Sequence, residues 1–231
     1  MRLDKYLSFC LVKPRQEVKK IIKSGKVTVN GEIVKKDDYK LDEEKDIVYI
    51  SNQLIEYNKY TYLMLHKPSG YVTSTKDDAP TVMELLPNEF KNLFPVGRLD
   101  KDTEGLLLFT NDGMLIHYLT SPKKQVTKTY YVELLKEIKE EIIPLFKDGV
   151  TLDDGYVTLP SALEIIDSKK VLLTITEGKY HQVKRMFLSV NNKVTYLKRI
   201  SFGPIMLGEL EYNTFRKLTT DEIEQLKKAT K

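Results

Sequence analysis

A charged, turn-rich stretch stands directly before an apolar run in the middle of the chain. The stretch is GRLDKDTEG, residues 97–105, and the run that follows is LLLFT, residues 106–110. Glycine permits tight backbone paths, and the apolar run predicts a strand, so the pattern indicates a turn leading into a strand. Two carboxylates, Asp100 and Asp102, lie in that turn. Either the turn is a solvated loop, or one of the aspartates performs chemistry.

The local pattern leaves the role of each aspartate open. Asp102, with Thr103 beside it, suits a side-chain-to-backbone cap. Two carboxylates two positions apart also suggest the acid pair of a glycosidase. Such a pair flanks its substrate, however, and neighbours on one loop seldom do. Short acidic loops are mostly structural, so spacing alone does not assign catalysis to Asp100.

The composition indicates a globular protein with a heavily charged surface. Of the 231 residues, 41% are hydrophobic and 30% are charged. This length suits one large domain, or a small domain and a medium one. The formal net charge of +4 permits an RNA or phosphate partner without requiring one.

Cysteine and histidine are too sparse for a disulfide or a zinc cluster. The chain has one cysteine, Cys10, and three histidines, His66, His117 and His181. A lone cysteine forms no intramolecular disulfide, and zinc sites need clustered ligands. The N-terminal residues lack the apolar core of a signal peptide, and no apolar stretch approaches the roughly 18 residues of a membrane span. We therefore predict a soluble, cytoplasmic protein without a zinc cluster or a membrane partner, and a monomer is the default expectation.

Residues 1–58 are predicted to form a separate unit of two short helices on a small sheet. Apolar residues at helical spacing run through RLDKYLSFCLV and PRQEVKKIIKSG. A strand, an Asn-Gly turn and a second strand are predicted in KVTVNGEIV, and a third strand ends DDYKLDEEKDIVYI. Residues 52–60, NQLIEYNKY, are polar enough to form a linker.

Basic residues concentrate in one part of this unit. Within residues 13–36 only Glu17 and Glu32 oppose them, and the basic residues are Lys13, Arg15, Lys19, Lys20, Lys23, Lys26, Lys35 and Lys36. A lysine-rich helix is usually a solvated face. These charges instead run from a helix through a turn into a hairpin, which suits an RNA phosphate backbone. We therefore predict that substrate RNA binds Lys19, Lys20 and Lys23.

From about residue 61 the pattern predicts an α+β domain with a mixed, mostly antiparallel sheet, spanning residues 59–231. Strands are predicted in YTYLMLHKPSGYVTST, where Pro68 and Gly70 separate two of them, and in TKTYYVELL, VLLTITEG and ELEYNTFRKLT. The predicted helices are TVMELLP, MLIHYLT, IKEEIIPLFKDG and GKYHQVKRMFLSV. Strands outnumber helices without a βαβ alternation, which favours the α+β class.

A second stretch with possible chemistry is EGKYHQVKRMF, residues 177–187. It predicts the start of a basic, amphipathic helix, in which Lys184 or Arg185 could pair with a carboxylate elsewhere. His181 could serve as a base, although a lone histidine is more often a structural donor. An ordinary basic helix is the alternative.

The third stretch is KKQVTKTYYV, residues 123–132. Tyr130 and Tyr131 are neighbours on a predicted strand, so one faces inward and the other outward. An aromatic side chain beside lysines either stacks on a nucleic-acid base or fills a core.

Together these stretches resemble the motifs of the pseudouridine synthases, most closely those of the RsuA family of ribosomal pseudouridine synthases. The first motif is present as GRLDKDTEGLLLFTNDG, the second as KTYYV, and the third as EGKYHQVKRMF with LKRISFGPIMLGEL behind it. The upstream HKPSGYVTS fits the start of the catalytic domain. Residues 2–50 resemble the small αL-type RNA-binding domain, shared with a small-subunit ribosomal protein, that precedes the catalytic domain in this family.

The resemblance implies an isomerase that converts a uridine of RNA to pseudouridine without a metal or cofactor. The base is cut from its sugar at nitrogen 1, turned, and rejoined through carbon 5. By motif position Asp100 is the essential aspartate, acting at the ribose as nucleophile or as base, and Tyr130 stacks under the target base. Lys184 is the expected ion-pair partner of Asp100, with Arg185 as the alternative. Asp102 is then structural.

The resemblance also implies the substrate. Arg98 is expected to hold the place of the flipped base, and Lys179, His181 and Arg185 are expected to bind substrate. The form YHQVKRM is closer to the small-subunit branch than to the large-subunit branches, which usually carry NR there. The implied target is a uridine of 16S rRNA, uridine 516 by family resemblance, within an assembling small-subunit particle. The alternatives are the same chemistry on 23S rRNA and a non-catalytic rRNA-binding assembly factor.

Overall fold

The protein divides into two compact units, Met1–Lys59 and Tyr60–Lys231, each with its own hydrophobic core. The computed structural model describes residues 1–11, 13–43, 45–55, 57 and 60–229. The predicted boundary between residues 58 and 59 falls outside these described residues. In the described parts of the chain, no helix combines the length and apolar character needed to cross a bilayer.

The described residues of the N-terminal unit form two helices on an antiparallel sheet with strand order β2-β1-β3-β4. This arrangement confirms the predicted two helices on a small sheet. The elements are α1 (Leu3–Cys10), α2 (Arg15–Lys23), β1 (Val27–Val29), β2 (Glu32–Ile33), β3 (Val48–Ile50) and β4 (Gln53–Ile55).

The core of this unit lies between its helices and its sheet. Leu3 and Leu7 of α1, with Val18 and Ile22 of α2, are fully shielded from solvent. The members of each pair are four residues apart, so they lie on the same helix face. Val27 of β1 completes the contact with the sheet.

The prediction of a linker over residues 52–60 was wrong for Gln53–Ile55, which forms β4. Ser51 and Asn52 connect β3 to β4 with φ values of 48° and 68°, the left-handed backbone that a tight hairpin requires. A polar sequence does not oppose such a strand, because its backbone hydrogen bonds come from the neighbouring strand. Residues 56, 58 and 59 of the predicted linker lie outside the described residues.

The C-terminal unit is built on a sheet with the order β13-β5-β7-β11-β8-β10-β9, while β12 pairs with β11 and β6 with β7. Its described strands are β5 (Tyr62–Lys67), β6 (Phe94–Pro95), β7 (Glu104–Thr110), β8 (Lys128–Leu134), β9 (Ala162–Asp167), β10 (Lys170–Ile175), β11 (Val194–Phe202), β12 (Ile205–Met206) and β13 (Phe215–Lys217). Its described α-helices are α3 (Gly113–Thr120), α4 (Ile143–Asp148), α5 (Gln182–Ser189) and α6 (Thr220–Ala229). Short 3₁₀ turns cover Val82–Leu85, Asn88–Phe90, Pro122–Lys124 and Glu140–Ile142.

The pairing of β7 with β11 is parallel, and the other strand pairs that the structure describes in this sheet are antiparallel. The predicted α+β class with a mixed, mostly antiparallel sheet is therefore confirmed. The segment TVMELLP forms a 3₁₀ turn where a helix was expected.

Strand β7 explains the apolar run LLLFT, residues 106–110. Leu107 and Phe109 belong to the core on one face of the sheet, and Leu106 and Leu108 belong to the core on the other face. A strand that is buried on both faces needs apolar residues at successive positions rather than at alternating ones. The turn that carries Asp100 is therefore anchored to a central, fully buried strand.

The second strand predicted after Gly70 is absent from the described structure, where an isolated bridge joins Val72 and Thr81. The reason is a competing long-range contact. The Thr73 hydroxyl donates to the Leu99 carbonyl at 2.8 Å and accepts from the Leu99 amide at 3.1 Å. This segment therefore uses its hydrogen bonds to hold the residue next to Asp100.

Gly105 lets β7 approach β11 closely. Its φ is 103°, and a Cβ at this position would lie 2.2 Å from the Arg199 carbonyl oxygen. We expect Gly105→Ala to lower the free energy of unfolding by about 3 kcal/mol, since it adds left-handed strain to overpacking. Denaturant unfolding measures this change. Gly113→Ala is the control, because its Cβ meets nothing within 4 Å. Equal losses in the two variants would contradict the expectation.

Candidate active site

Residues from all three sequence stretches singled out for chemistry line one cleft of the C-terminal unit. The cleft lies between the loop before β7, strands β8 and β11, and the start of α5. Its volume is about 590 Å³, within the usual range for pockets that bind small ligands. The predicted site residues on its walls are Arg98, Asp100, Tyr130, Lys179 and His181.

Lys184 bridges both aspartates of the turn. Its Nζ lies 3.1 Å from Asp100 Oδ2 and 2.5 Å from Asp102 Oδ1. Partial burial opposes the charge on Lys184, but the hydrogen bonds that Lys184 donates to Asp102 and Asp100 outweigh it and raise the Lys184 pKa. Burial likewise opposes the charge on Asp102, and the Lys184 hydrogen bond outweighs it to lower the Asp102 pKa. Lys184 is therefore a cation at neutral pH.

The two carboxylates differ in their exposure. The Asp100 side chain is 26% exposed and lines the cleft, whereas the Asp102 side chain is 69% exposed. A ligand in the cleft therefore meets Asp100, while Asp102 holds the far side of Lys184.

A buried lysine holds the turn from beneath. The Lys67 side chain ends β5, is fully buried, and donates from Nζ to the carbonyls of Pro68, Asp100, Lys101 and Thr103 at 2.8–3.2 Å. Burial lowers the Lys67 pKa to about 8, against the opposing charges of Asp102, Asp100 and Glu104. The backbone of the turn is therefore fixed by one ammonium group.

Tyr130 and Tyr131 point to opposite faces of β8, as the period of a strand predicts. Tyr130 is 7% exposed and presents its side chain to the cleft. The Tyr131 hydroxyl donates to the Glu133 carboxylate at 2.8 Å on the other face.

The lip of the cleft carries a stacked pair of rings. His181 precedes α5 with a φ of 47°, and its ring stacks on Tyr180 with centroids 3.8 Å apart and planes at 19°. His181 Nε2 lies 3.7 Å from Asp100 Oδ1. Lys179 Nζ lies 4.4 Å from the Tyr156 ring centre.

Such a site combines two carboxylates paired to one lysine with an aromatic wall and basic groups. It suits attack or proton transfer beside a planar ring that stacks on the aromatic wall and belongs to an anionic polymer. Among the described residues, no group of three or more His, Cys, Asp or Glu side chains is placed to hold a metal ion.

Comparison with known proteins identifies the family to which the chain belongs. Residues 61–189, more than half of the chain, match the RNA pseudouridylate synthase family, and residues 1–48 match the S4 domain. The chain belongs to the RNA pseudouridylate synthase family. The predicted resemblance to the RsuA family, with a small RNA-binding domain before the catalytic domain, is confirmed.

Similar proteins match this pseudouridylate synthase over nearly their full length. It is 44% identical over 234 residues to an uncharacterized RNA pseudouridine synthase of Bacillus subtilis (strain 168), covering 98% of each chain. It is 43% identical over 228 residues to ribosomal small subunit pseudouridine synthase A of Escherichia coli (strain K12), covering 96% of this chain and 98% of that protein. A crystal structure of a pseudouridylate synthase matches with a TM-score of 0.70 at 40% identity, covering 98% and 99% of the two chains.

Some predicted site residues of this pseudouridylate synthase lie away from the Asp100 carboxylate. Arg185, the alternative ion-pair partner, binds Asp153 and Asp154 at 2.5 and 2.7 Å. The three lysines predicted to bind RNA lie on α2 of the N-terminal unit, namely Lys19, Lys20 and Lys23. Lys20 and Lys23 are exposed, while Lys19 pairs with Asp37 at 2.9 Å.

Sequence reasoning missed three residues of this synthase that bear on the cleft. The sequence did contain a signal for Lys67. It is the last residue of a mostly apolar predicted strand, and a buried lysine needs hydrogen-bond acceptors. Tyr180 is 77% exposed at the lip, and Arg199 is 1% exposed within the cleft. Both lie in stretches already quoted as motifs, EGKYHQVKRMF and LKRISFGPIMLGEL, but their roles depend on contacts that form only in the fold.

Proposed function

We propose that this protein isomerises one uridine of 16S rRNA, uridine 516, to pseudouridine, with Asp100 as its essential carboxylate. The observation that carries this proposal is the pair of Asp100 with Lys184 on the wall of a cleft that also exposes Tyr130. The choice of 16S rRNA rests on the relatives named ribosomal small subunit pseudouridine synthase A. The target RNA is bound within an assembling small-subunit particle.

The chemistry begins at the ribose. Lys184 pairs with the Asp100 carboxylate at 3.1 Å, and Asp100 either attacks carbon 1′ or accepts a proton from the ribose. The glycosidic bond to nitrogen 1 breaks, and carbon 5 then bonds to carbon 1′. This second step releases Asp100, either by breaking its bond to carbon 1′ or by returning the proton it took from the ribose. The proton on carbon 5 leaves, and nitrogen 1 gains a proton.

The cleft has room for one base, so the target must leave its stack at a cost of a few kcal/mol. Tyr130 stacks on the flipped base, which fits its position inside the cleft. The basic residues at the lip, Arg98 and Lys179, offset the cost of flipping by contacts with the RNA around the vacated position. The His181 ring lies at the same lip and keeps the flipped nucleotide near Asp100.

Helix α2 supplies the sequence-independent part of RNA binding. We expect replacement of Lys19, Lys20 and Lys23 by Ala to weaken binding of a 16S rRNA fragment. The negative slope of log affinity against log salt should become shallower by about two. Each lost phosphate contact reduces the size of the slope by roughly 0.7–0.9, and Lys19 counts for less because Asp37 partly neutralises it. Fluorescence anisotropy across a salt series measures both quantities.

A matched control for this triple variant removes the same charge from exposed lysines of the C-terminal unit, Lys139, Lys147 and Lys169. We expect this control to keep the wild-type slope. Equal slopes for all three proteins would mean that α2 is only a solvated face.

Tritium release tests the proposed function directly. The substrate is 16S rRNA labelled with tritium on carbon 5 of uridine, supplied naked and as a partly assembled particle. We expect release by the wild type, faster from the particle, at a single uridine that sequencing after chemical modification identifies. Release only from 23S rRNA would mean that the substrate is 23S rRNA and not 16S rRNA. Binding without release from any RNA would support the assembly-factor alternative.

A further inference from the structure

An unpartnered guanidinium group lies inside the cleft. Arg199 of β11 is 1% exposed and pairs across the sheet with Tyr130 of β8. Its Nε donates to the Leu106 carbonyl at 2.8 Å. Within the described residues, its Nη2 has no hydrogen-bond partner, although the side chain lines the cleft. A buried donor without a partner is rare in folded proteins, so this guanidinium is placed to donate to a ligand atom in the cleft.

A second cation stands beside Arg199. Lys128 precedes Tyr130 by two positions on β8, so both side chains lie on one face of the strand, and both line the cleft. Lys128 Nζ lies 5.4 Å from the Phe202 ring centre, and Arg199 Cζ lies 5.0 Å from the same ring centre. The Lys128 ammonium donates one hydrogen bond, to the Val126 carbonyl at 2.7 Å. Burial and the charge of Arg199 lower the Lys128 pKa to about 8.

Neither cation forms an ion pair with a carboxylate in the part of the chain that the structure describes, although the charge of Glu177 acts on Lys128 from a distance. The carboxylate of Glu177 also lines the cleft, but it is occupied by neutral donors. It accepts from the Tyr156 hydroxyl at 2.7 Å, the Leu159 amide at 2.9 Å and the Gln182 side chain at 2.9 Å. Lysine and arginine donate hydrogen bonds and accept none. This part of the cleft is therefore built for a ligand atom that only accepts.

We infer that Arg199 and Lys128 bind the carbonyl oxygen on carbon 4 of the target uracil, and that they exclude cytosine for this reason. The inference rests on the proposed function. Cytosine carries an amino group on carbon 4, where uracil carries an oxygen. An amino group facing these two cationic donors would give neither of them an acceptor and would itself find none there.

Depth in the cleft selects the oxygen on carbon 4. Asp100, which acts at the sugar, is 26% exposed, whereas Arg199 is 1% exposed. The sugar therefore stays near the mouth, and the base points inward. Carbon 4 lies across the ring from nitrogen 1, so its oxygen is the one that reaches deepest.

The same donors serve the base after it turns. Carbon 5 takes the place of nitrogen 1 when the ring rotates by half a turn about the line through nitrogen 3 and carbon 6. This rotation also exchanges the two carbonyl groups, so the oxygen on carbon 2 replaces the oxygen on carbon 4. The detached base keeps the electron pair of the broken bond as negative charge shared by both oxygens, and the two cations stabilise that charge.

Binding of 16S rRNA fragments tests this inference. The fragments carry uridine, cytidine, 4-thiouridine or 2-thiouridine at the target position, and the proteins carry Asp100→Asn to prevent turnover. In protein that keeps both Arg199 and Lys128, we expect the uridine fragment to bind about tenfold or more tightly than the cytidine fragment. The 4-thio fragment should bind more weakly than uridine, because sulfur is a poor acceptor, and the 2-thio fragment should bind as uridine does.

Variants assign the preference to the two cations. Lys128→Gln and Arg199→Gln should each reduce the preference for uridine over cytidine to about threefold or less, because an amide can accept from the cytosine amino group. Lys198→Gln is the matched control. Lys198 is the strand neighbour of Arg199, and its Nζ lies 5.8 Å from the Tyr131 ring on the opposite face of the sheet. Circular dichroism checks that Arg199→Gln folds. If it does not fold, the uridine preference of Lys128→Gln alone tests the inference.

Two failures remain distinguishable. Wild-type protein that releases no tritium from any RNA overturns the proposed function. Active wild-type protein that binds uridine and cytidine fragments equally, or Lys128→Gln that keeps the full preference, overturns the inference alone. A penalty for 2-thiouridine without one for 4-thiouridine would overturn the assignment of the oxygen on carbon 4.

Discussion

Asp100→Asn is expected to abolish pseudouridine formation while RNA affinity stays within a few-fold of wild type. The amide keeps the shape of the carboxylate but can neither attack carbon 1′ nor accept a proton from the ribose. We expect the single-turnover rate to fall by at least about a thousandfold, since proton transfer alone contributes 10²–10⁴ and a lost nucleophile costs more. Tritium release measures the rate, and fluorescence anisotropy measures the affinity.

Asp102→Asn is the matched control, because it makes the same chemical change two positions along the same turn. Lys184 keeps Asp100 as its partner in that variant. We expect turnover within about fivefold of wild type, because an ion pair to a largely exposed carboxylate is worth at most about 1 kcal/mol. Turnover retained by Asp100→Asn, or an equal loss in both variants, would overturn the role of Asp100.

Lys67→Met is expected to produce the largest loss of stability. Methionine fills a similar volume but cannot donate. The carbonyls of Pro68 and Thr103 lose the ammonium donor, while those of Asp100 and Lys101 keep the amides of Thr103 and Gly70. A buried hydrogen bond to a charged group contributes about 1.5–3 kcal/mol, so the free energy of unfolding should fall by at least about 3 kcal/mol. Denaturant unfolding measures this loss. Lys101→Met, an exposed lysine in the same turn, is the control and should change stability little.

The effect of Lys67 should also depend on pH. Its pKa is about 8 in the folded protein, below the ordinary value of 10.5 that it regains on unfolding. Between these two values the unfolded chain binds more protons, so the free energy of unfolding rises with pH. The stability of wild type relative to Lys67→Met should therefore increase from pH 8 to about 10.5, and this increment is lost as the pH falls through 8. A constant difference across that window would contradict the assignment of the buried charge to Lys67.

Local chemistry made much of the fold predictable. The apolar stripe of α2 and the alternation of Tyr130 with Tyr131 follow from periods that belong to single elements. The apolar run of β7 required a strand. The motif resemblance predicted an ion pair between Asp100 and Lys184, and their side chains lie 3.1 Å apart in the fold.

What sequence reasoning missed depends on partners that are distant in the chain. Strand β4 forms because β3 offers it backbone hydrogen bonds, which its polar side chains do not reveal. The segment after Gly70 has strand-like composition, yet Thr73 binds Leu99 instead. Arg185 resembles Lys184 in the sequence, but the turn containing Asp153 and Asp154 draws it away from Asp100.

The single ammonium beneath the turn that carries Asp100 has a consequence for dynamics. Local opening of this turn would strip Lys67 of the carbonyls that compensate its burial, so the opening free energy should approach that of global unfolding. Amide protons of the turn should therefore exchange with solvent as slowly as those of the central sheet. Since the enzyme holds its carboxylate rigid before substrate arrives, the conformational work of forming the complex falls on the RNA.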